Sequence, residues 1–257
     1  MNLRTRSELF GLILMVGQVT APQLIAFARP LGVSASNVKS HLSRLAAEGI
    51  VRREGPVRRA AYSLTDKRQG IVEGIAARLE EPPDTPWNGE WLSLAMRMPA
   101  ARAERENLRA ALWFDGFRPW GREVWLRPAW PMPWAGAKAE GYAVRGAWCV
   151  QGQNVGTVGV AAIQALYAVQ HLDREAHDVA AVIARKSRSL RTDADVFAAR
   201  QRLSGMAVDV IARDPRLPAE FWAQPSGLAR LRTAYRTLMT ETKARAEAFV
   251  SEVMTGS

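Results

Sequence analysis

Apolar positions in the first third of the chain recur at helical spacing. Leu9, Leu12, Ile13 and Val16 form an i, i+3, i+4, i+7 stripe and predict a helix over 5–17. Thr20-Ala21-Pro22-Gln23 then reads as a capping box with proline in the first turn. It predicts a short second helix with Leu24, Ile25, Phe27 and Ala28 inward, ending by Pro30-Leu31-Gly32. Ser34 caps a third helix over about 35–48, which buries Val38, Leu42 and Leu45 and stops at Gly49. Two short runs follow, Ile50 to Glu54 and Val57 to Leu64, around a Gly55-Pro56 turn; Thr65 is placed to cap a further helix over 66–79. Three helices and a hairpin in this order predict a winged helix-turn-helix.

The proline-rich stretch Glu81 to Pro86 reads as a semi-rigid linker. Beyond it, Trp91 to Met98 has the composition of a strand. Residues 100–115 place Leu108, Ala111, Leu112 and Phe114 at helical spacing, and 122–127 and 142–150 supply further strands. This β-α-β order with additional strands suits an α+β, ferredoxin-like α/β unit. Gly152, Gly156 and Gly159 lack the dinucleotide-binding spacing and read as turns. From about residue 160 the chain is rich in Ala, Leu and Arg and predicts helices, with a break at Arg213 to Pro218. Past the break, Leu228, Leu231, Tyr235 and Leu238 form one apolar stripe, suited to a dimer contact or to packing on the preceding helices. The fold class is therefore α+β in three regions: 1–80 a winged helix, 87–160 ferredoxin-like, and 161–257 helical.

Charge changes what the first region is good for. The chain carries 35 Lys+Arg against 25 Asp+Glu, and residues 1–80 hold 12 against 6, so most of the excess of +10 lies there. Opposite the apolar stripe of the third helix stand Ser36, Ser40 and Ser43, flanked by Lys39, Asn37 and Arg44, with no carboxylate before Glu48. A short-chained, polar and basic face of this kind suits entry into the DNA major groove without phosphate repulsion. Arg52, Arg53, Arg58 and Arg59 make the hairpin basic, which suits phosphate contact, the interaction that sets affinity and register rather than sequence choice. His41, at the margin of the buried face, serves packing or a base contact. A winged helix used only for protein contacts is the alternative, and it would bind no operator.

Composition removes other classes. One cysteine, Cys149, excludes an internal disulfide and multi-cysteine metal sites. His171 and His177, six apart, fall on different faces of a helix, so no metal and no cofactor is expected. The ferredoxin-like region is also similar to that of the small CRISPR-associated nucleases, a resemblance that implies a metal-binding Asp just after the first strand; Arg97-Met98-Pro99 stands there, with no carboxylate. The chain is therefore expected not to be an enzyme, and no catalytic residue is assigned. No apolar run spans a membrane. Arg4, Arg6 and Leu9 to Val16 only crudely imitate a secretory signal, with Glu8 abutting the run, so a cytoplasmic protein is expected.

The order Leu42-Ser43-Arg44-Leu45-Ala46-Ala47-Glu48-Gly49, with a basic wing ending Tyr62-Ser63-Leu64-Thr65, resembles the PaaX family of phenylacetate-catabolism repressors. The likeness continues through Trp87-Asn88-Gly89-Glu90-Trp91, Gly116-Phe117, Glu123 to Pro128 and Arg213 to Pro218. Residues 130–160 diverge from the family pattern, and Phe221-Trp222-Ala223-Gln224-Pro225 replaces a usual Leu-Leu-Pro and Trp stretch. The resemblance implies a homodimeric transcriptional repressor on double-stranded operator DNA, released by a small-molecule effector of the aromatic acyl-CoA type. For such an effector, Trp130 and Trp134 in a proline-rich loop are candidate pocket walls, although most of the nine tryptophans are expected in the core. Arg185, Lys186 and Arg188 are candidates for its phosphates; a solvated helical face or a second DNA contact explains the same run.

Overall fold

The structure, a computed structural model, describes residues 3–56, 60–66, 69–81, 86–130, 146–153, 159–186 and 191–256. Packing divides the chain into two units: residues 1–71, 179–208 and 233–257 form one, and residues 72–178 and 209–232 the other. Both contain helices and an antiparallel sheet, so the fold is α+β. No helix among the described residues is long and apolar enough to cross a membrane.

The first unit opens with α1 (Leu3–Val16), β1 (Gln18–Thr20), α2 (Ala21–Ala28) and α3 (Ala35–Ala47). Leu9, Leu12 and Ile13 of α1 are fully buried, as their spacing predicts. The capping box is present: Thr20 Oγ1 accepts from the Gln23 amide at 3.4 Å, and Gln23 Oε1 accepts from the Thr20 amide at 2.9 Å. Ser34 caps α3 by accepting from the Asn37 amide at 3.3 Å. At its other end Gly49 takes φ +66°, and the chain reverses through two hydrogen bonds, Ile50 N–H to Leu45 O (2.9 Å) and Gly49 N–H to Ala46 O (3.0 Å). β2 (Val51–Glu54) and β3 (Ala61–Leu64) follow and pair with Arg52 opposite Ser63 and Arg53 opposite Tyr62. β1 joins the other edge of β3, giving a sheet of order β1-β3-β2. This three-residue strand has too few positions to show an alternation in the sequence. The Thr65 hydroxyl donates to Gly49 O at 2.7 Å, tying the end of β3 to the end of α3; α4 is described from Gln69 to Leu79, and residues 67 and 68, whose amides a Thr65 cap would meet, lie outside the described residues.

Later helices complete this core. α8 (Asp193–Ile211) contributes Phe197 and Ala198, and α10 (Lys243–Thr255) contributes Ala246, Phe249, Val250 and Val253. Phe27, Phe197 and Phe249 form a ring cluster with centroids 4.8 to 6.4 Å apart.

In the second unit, β4 (Glu90–Ala95) is one of the two inner strands of a four-stranded antiparallel sheet of order β5-β6-β4-β7, with β5 (Arg118–Pro119), β6 (Val124–Pro128) and β7 (Trp148–Gln153). The alternation of β4 feeds two cores. Leu92 and Leu94 pack with Leu112 of α5 (Arg102–Phe114), Phe117 and Trp125. Trp91 and Leu126 pack with Ile163 of α6 (Val160–Leu166), Tyr167, Leu217 and Phe221. Gly152 lies inside β7 opposite Trp91, so it is a strand residue and not a turn. The Tyr167 hydroxyl lies 3.1 Å from Gly116 O and 3.0 Å from Leu126 O, and burial raises its pKa above the ordinary tyrosine value.

The remaining elements are α7 (Val169–Lys186), a 3-10 turn (Ala219–Phe221) and α9 (Gly227–Glu241). Leu228, Leu231 and Leu238 of α9 are buried and Tyr235 half-buried within the chain, so the stripe is core and is not a free face for a second copy.

Candidate nucleic-acid interface

The face of α3 is set by the core beneath it. Val38, Leu42 and Leu45 are at most 2% exposed, and His41 is buried beside them, on the packing side. With that stripe held inward, Ser36, Asn37, Lys39, Ser40, Ser43 and Arg44 are all exposed. Ser36 Oγ meets the capping Ser34 Oγ at 3.0 Å. Among the described residues, no hydrogen bond or ion pair engages the side chains of Asn37, Lys39, Ser40, Ser43 or Arg44. The first turn carries no acidic residue and the last turn carries Arg44, so the helix presents donors and positive charge along its length.

The β2–β3 hairpin presents Arg52 and Arg53, both exposed. Here the structure adds a residue that sequence reading missed. Glu54 Oε1 pairs with Arg52 Nε at 2.8 Å, and Glu54 Oε2 accepts from Gln18 Nε2 of β1 at 3.4 Å. One carboxylate therefore sits within the basic hairpin and offsets part of its charge. Glu54 was visible in the sequence, but its placement beside Arg52 follows from the hairpin register and from β1. Gly55 supplies the turn with φ +86°. Arg58 and Arg59 lie outside the described residues, as do Trp134 and Arg188.

The candidate ligand residues are spread over both units. Arg185 and Lys186 are exposed in the last turn of α7, in the first unit. Trp130 is buried in the second unit and lines a cleft of about 450 Å³. The tryptophans divide: Trp91, Trp125 and Trp130 are buried, Trp87 and Trp222 partly buried, and Trp113, Trp120 and Trp148 exposed. His171 and His177 are both exposed; His171 Nε2 lies 3.9 Å from Glu175, and His177 Nε2 lies 3.2 Å from Arg230. Among the described residues, no cluster of three metal-ligating side chains occurs.

Residues 9–68 match the model of the PaaX-like protein family. The PaaX-like segment runs from Leu9 of α1 through α3, the hairpin and Thr65, so it holds every described residue of the candidate interface. No curated protein matches the chain. Among solved structures, the uncharacterized protein Rv0674 from Mycobacterium tuberculosis is similar in fold, with a TM-score of 0.60 and 20% identity. The likeness covers 90% of this chain and 91% of that one.

Proposed function

We propose that the protein is a ligand-responsive transcriptional regulator that binds operator DNA as a homodimer in the cytoplasm, and that it is not an enzyme. The observation that carries this reading is the exposed, carboxylate-free face of α3, where Asn37, Lys39, Ser40, Ser43 and Arg44 make no side-chain hydrogen bond or ion pair among the described residues and stand above a fully packed stripe. Such side chains are free to meet base edges, where bidentate donors and acceptors discriminate one base pair from another. The helix order and the β2–β3 hairpin support a winged helix, with α3 in the major groove and the hairpin on backbone phosphates. In the second unit, α5 joins β4 to β5 and the strands take the order β5-β6-β4-β7, which supports the ferredoxin-like reading.

The PaaX-like match over 9–68 supports a regulatory role. From the same likeness come the finer expectations of a repressor on an aromatic-acid, phenylacetate-like, catabolic operon and of release by an acyl-CoA-type effector. Release requires that the effector bind the DNA-incompetent arrangement more tightly than the competent one.

The test separates helix from hairpin. Asn37→Ala and Arg44→Ala are expected to change which sequences are selected from a randomised DNA pool, by about 1–3 kcal/mol at the affected base pairs. Arg52→Ala is expected to weaken all sequences alike and to make the salt dependence shallower. Equal effects of both kinds of variant on all sequences would contradict the division of labour. Absence of salt-dependent DNA binding by the unaltered protein would favour a winged helix that contacts proteins.

A further inference from the structure

Three consecutive residues of α8 tie it to three different parts of the first unit. Arg200 Nη1 donates to Met239 O at 2.6 Å and to Thr242 Oγ1 at 2.8 Å, where α9 gives way to α10. Gln201 Nε2 donates to Met15 Sδ, in the last turn of α1, at 3.2 Å. Arg202 Nη2 donates to Leu31 O at 2.7 Å, in the turn between α2 and α3. Successive helical residues point about 100° apart, so the three fan out around a helix that the other elements surround.

The two arginines differ in how well they are satisfied. Arg200 has two acceptors on one nitrogen. Arg202 is half-buried, its Nε is buried with no hydrogen-bond partner, and no carboxylate pairs with it among the described residues. A guanidinium placed so loses hydration that one hydrogen bond to a carbonyl offsets only in part. Stability alone therefore does not account for Arg202. What it holds does.

Leu31 lies in the short connection that sets the direction of α3. The Leu31 and Val33 amides both donate to Ala28 O at 3.1 Å, and the Gly32 amide donates to Arg29 O at 2.9 Å. These bonds reach back to the end of α2, whereas the cap of α3 begins at Ser34. Between them Gly32 takes φ +69° and has no side chain to pack, so this link bends more readily than its neighbours. Arg202 grips the carbonyl just before it, from outside the turn.

We propose that Arg202 is a positioning residue for base recognition: from α8 it fixes the Leu31 carbonyl, and with it the angle at which the Asn37–Arg44 face meets the major groove. The proposal rests on the reading of α3 as the helix that contacts bases. It puts a determinant of operator choice on a residue outside the matched segment 9–68. Base edges are read through hydrogen bonds that fail after small displacements, whereas phosphate contacts carry no sequence information and tolerate them. Loosening the turn therefore costs sequence preference rather than general affinity.

The test compares Arg202→Met, Arg202→Lys and Arg200→Met in the full chain. Affinities are measured by fluorescence anisotropy for the duplex preferred in a randomised pool and for a random duplex, over a range of salt. Arg202→Met keeps the stem and removes the donor; it is expected to lower the ratio of the two affinities by about fivefold or more, with the salt slope unchanged. A single carbonyl needs one donor and no fork, so Arg202→Lys is expected to stay within about twofold of the unaltered protein. Arg200→Met removes hydrogen bonds from the same helix without touching the turn, and is expected to leave the ratio as it is. Amide exchange reads the turn without DNA: Leu31, Gly32 and Val33 are expected to exchange about fivefold or more faster in Arg202→Met, with Gly49 and Ile50 unchanged. An unchanged ratio in Arg202→Met, an equal fall in Arg200→Met, no rescue by lysine, or a uniform rise in exchange would each overturn the inference. An unaltered protein that prefers no duplex would instead overturn the DNA reading on which this one rests, and the exchange pattern would still show whether Arg202 holds the turn.

Discussion

Glycines mark where residue-level chemistry is local and where it is not. Gly49 adopts φ +66° to end α3, and its role is legible because the helix stripe stops just before it. Gly227 serves a different need. Its amide donates to Asp173 Oδ1 at 2.6 Å at the start of α9, and a Cβ there would collide with the Asp173 backbone carbonyl. Gly227→Ala is therefore expected to destabilise the protein by about 2 kcal/mol or more, since rigid backbone must move to admit the methyl group. Urea unfolding measures this; a loss of a few tenths of a kcal/mol would mean that α7 and α9 separate easily. Nothing near Gly227 in the sequence announces this constraint, because its partner is 54 residues away. The caps at Thr20 and Ser34 were legible for the opposite reason: each satisfies amides within three residues of itself.

At the scale of elements, α3 was readable because it is amphipathic on its own, and the hairpin because a Gly55-Pro56 turn separates two short runs rich in arginine. The stripe of Val38, Leu42 and Leu45 dictates the face that carries Asn37, Lys39 and Arg44. The hairpin's charge was read less fully, since Glu54 acts on Arg52 only after β2 folds back on β3 and β1 brings Gln18 alongside. The Arg52–Glu54 pair is well exposed, at 61% and 49% of the side chains, so it contributes little to stability. A carboxylate among phosphate-binding arginines still opposes DNA. Glu54→Gln is therefore expected to tighten binding to all DNA sequences by a few-fold at about 0.1 M salt, and to leave sequence preference as it was. Anisotropy titrations of specific and random duplexes check it; weaker binding would mean that Glu54 positions Arg52 rather than competing with phosphate.

At the scale of the whole molecule, the sequence divides into consecutive regions, whereas packing draws on distant segments. Phe197 and Phe249 complete the core under α2, and Arg202 Nη2 donates to Leu31 O at 2.7 Å. Helical spacing made α8 and α10 visible as helices, but periodicity carries no information about which face of which partner they cover. The contacts of Arg78, Arg216 and Arg232 with Asp214 were hidden for the same reason: residues from three stretches of chain meet only in the fold. DNA recognition is tested by fluorescence anisotropy with the duplex upstream of the protein's own gene, titrated over a range of salt against random competitor. A dimer that engages about 8–10 phosphates is expected to bind that duplex in the presence of competitor, with a log–log salt slope of about −7 to −9. Binding no tighter than to random DNA, or a slope near zero, would contradict operator recognition by α3 and the hairpin.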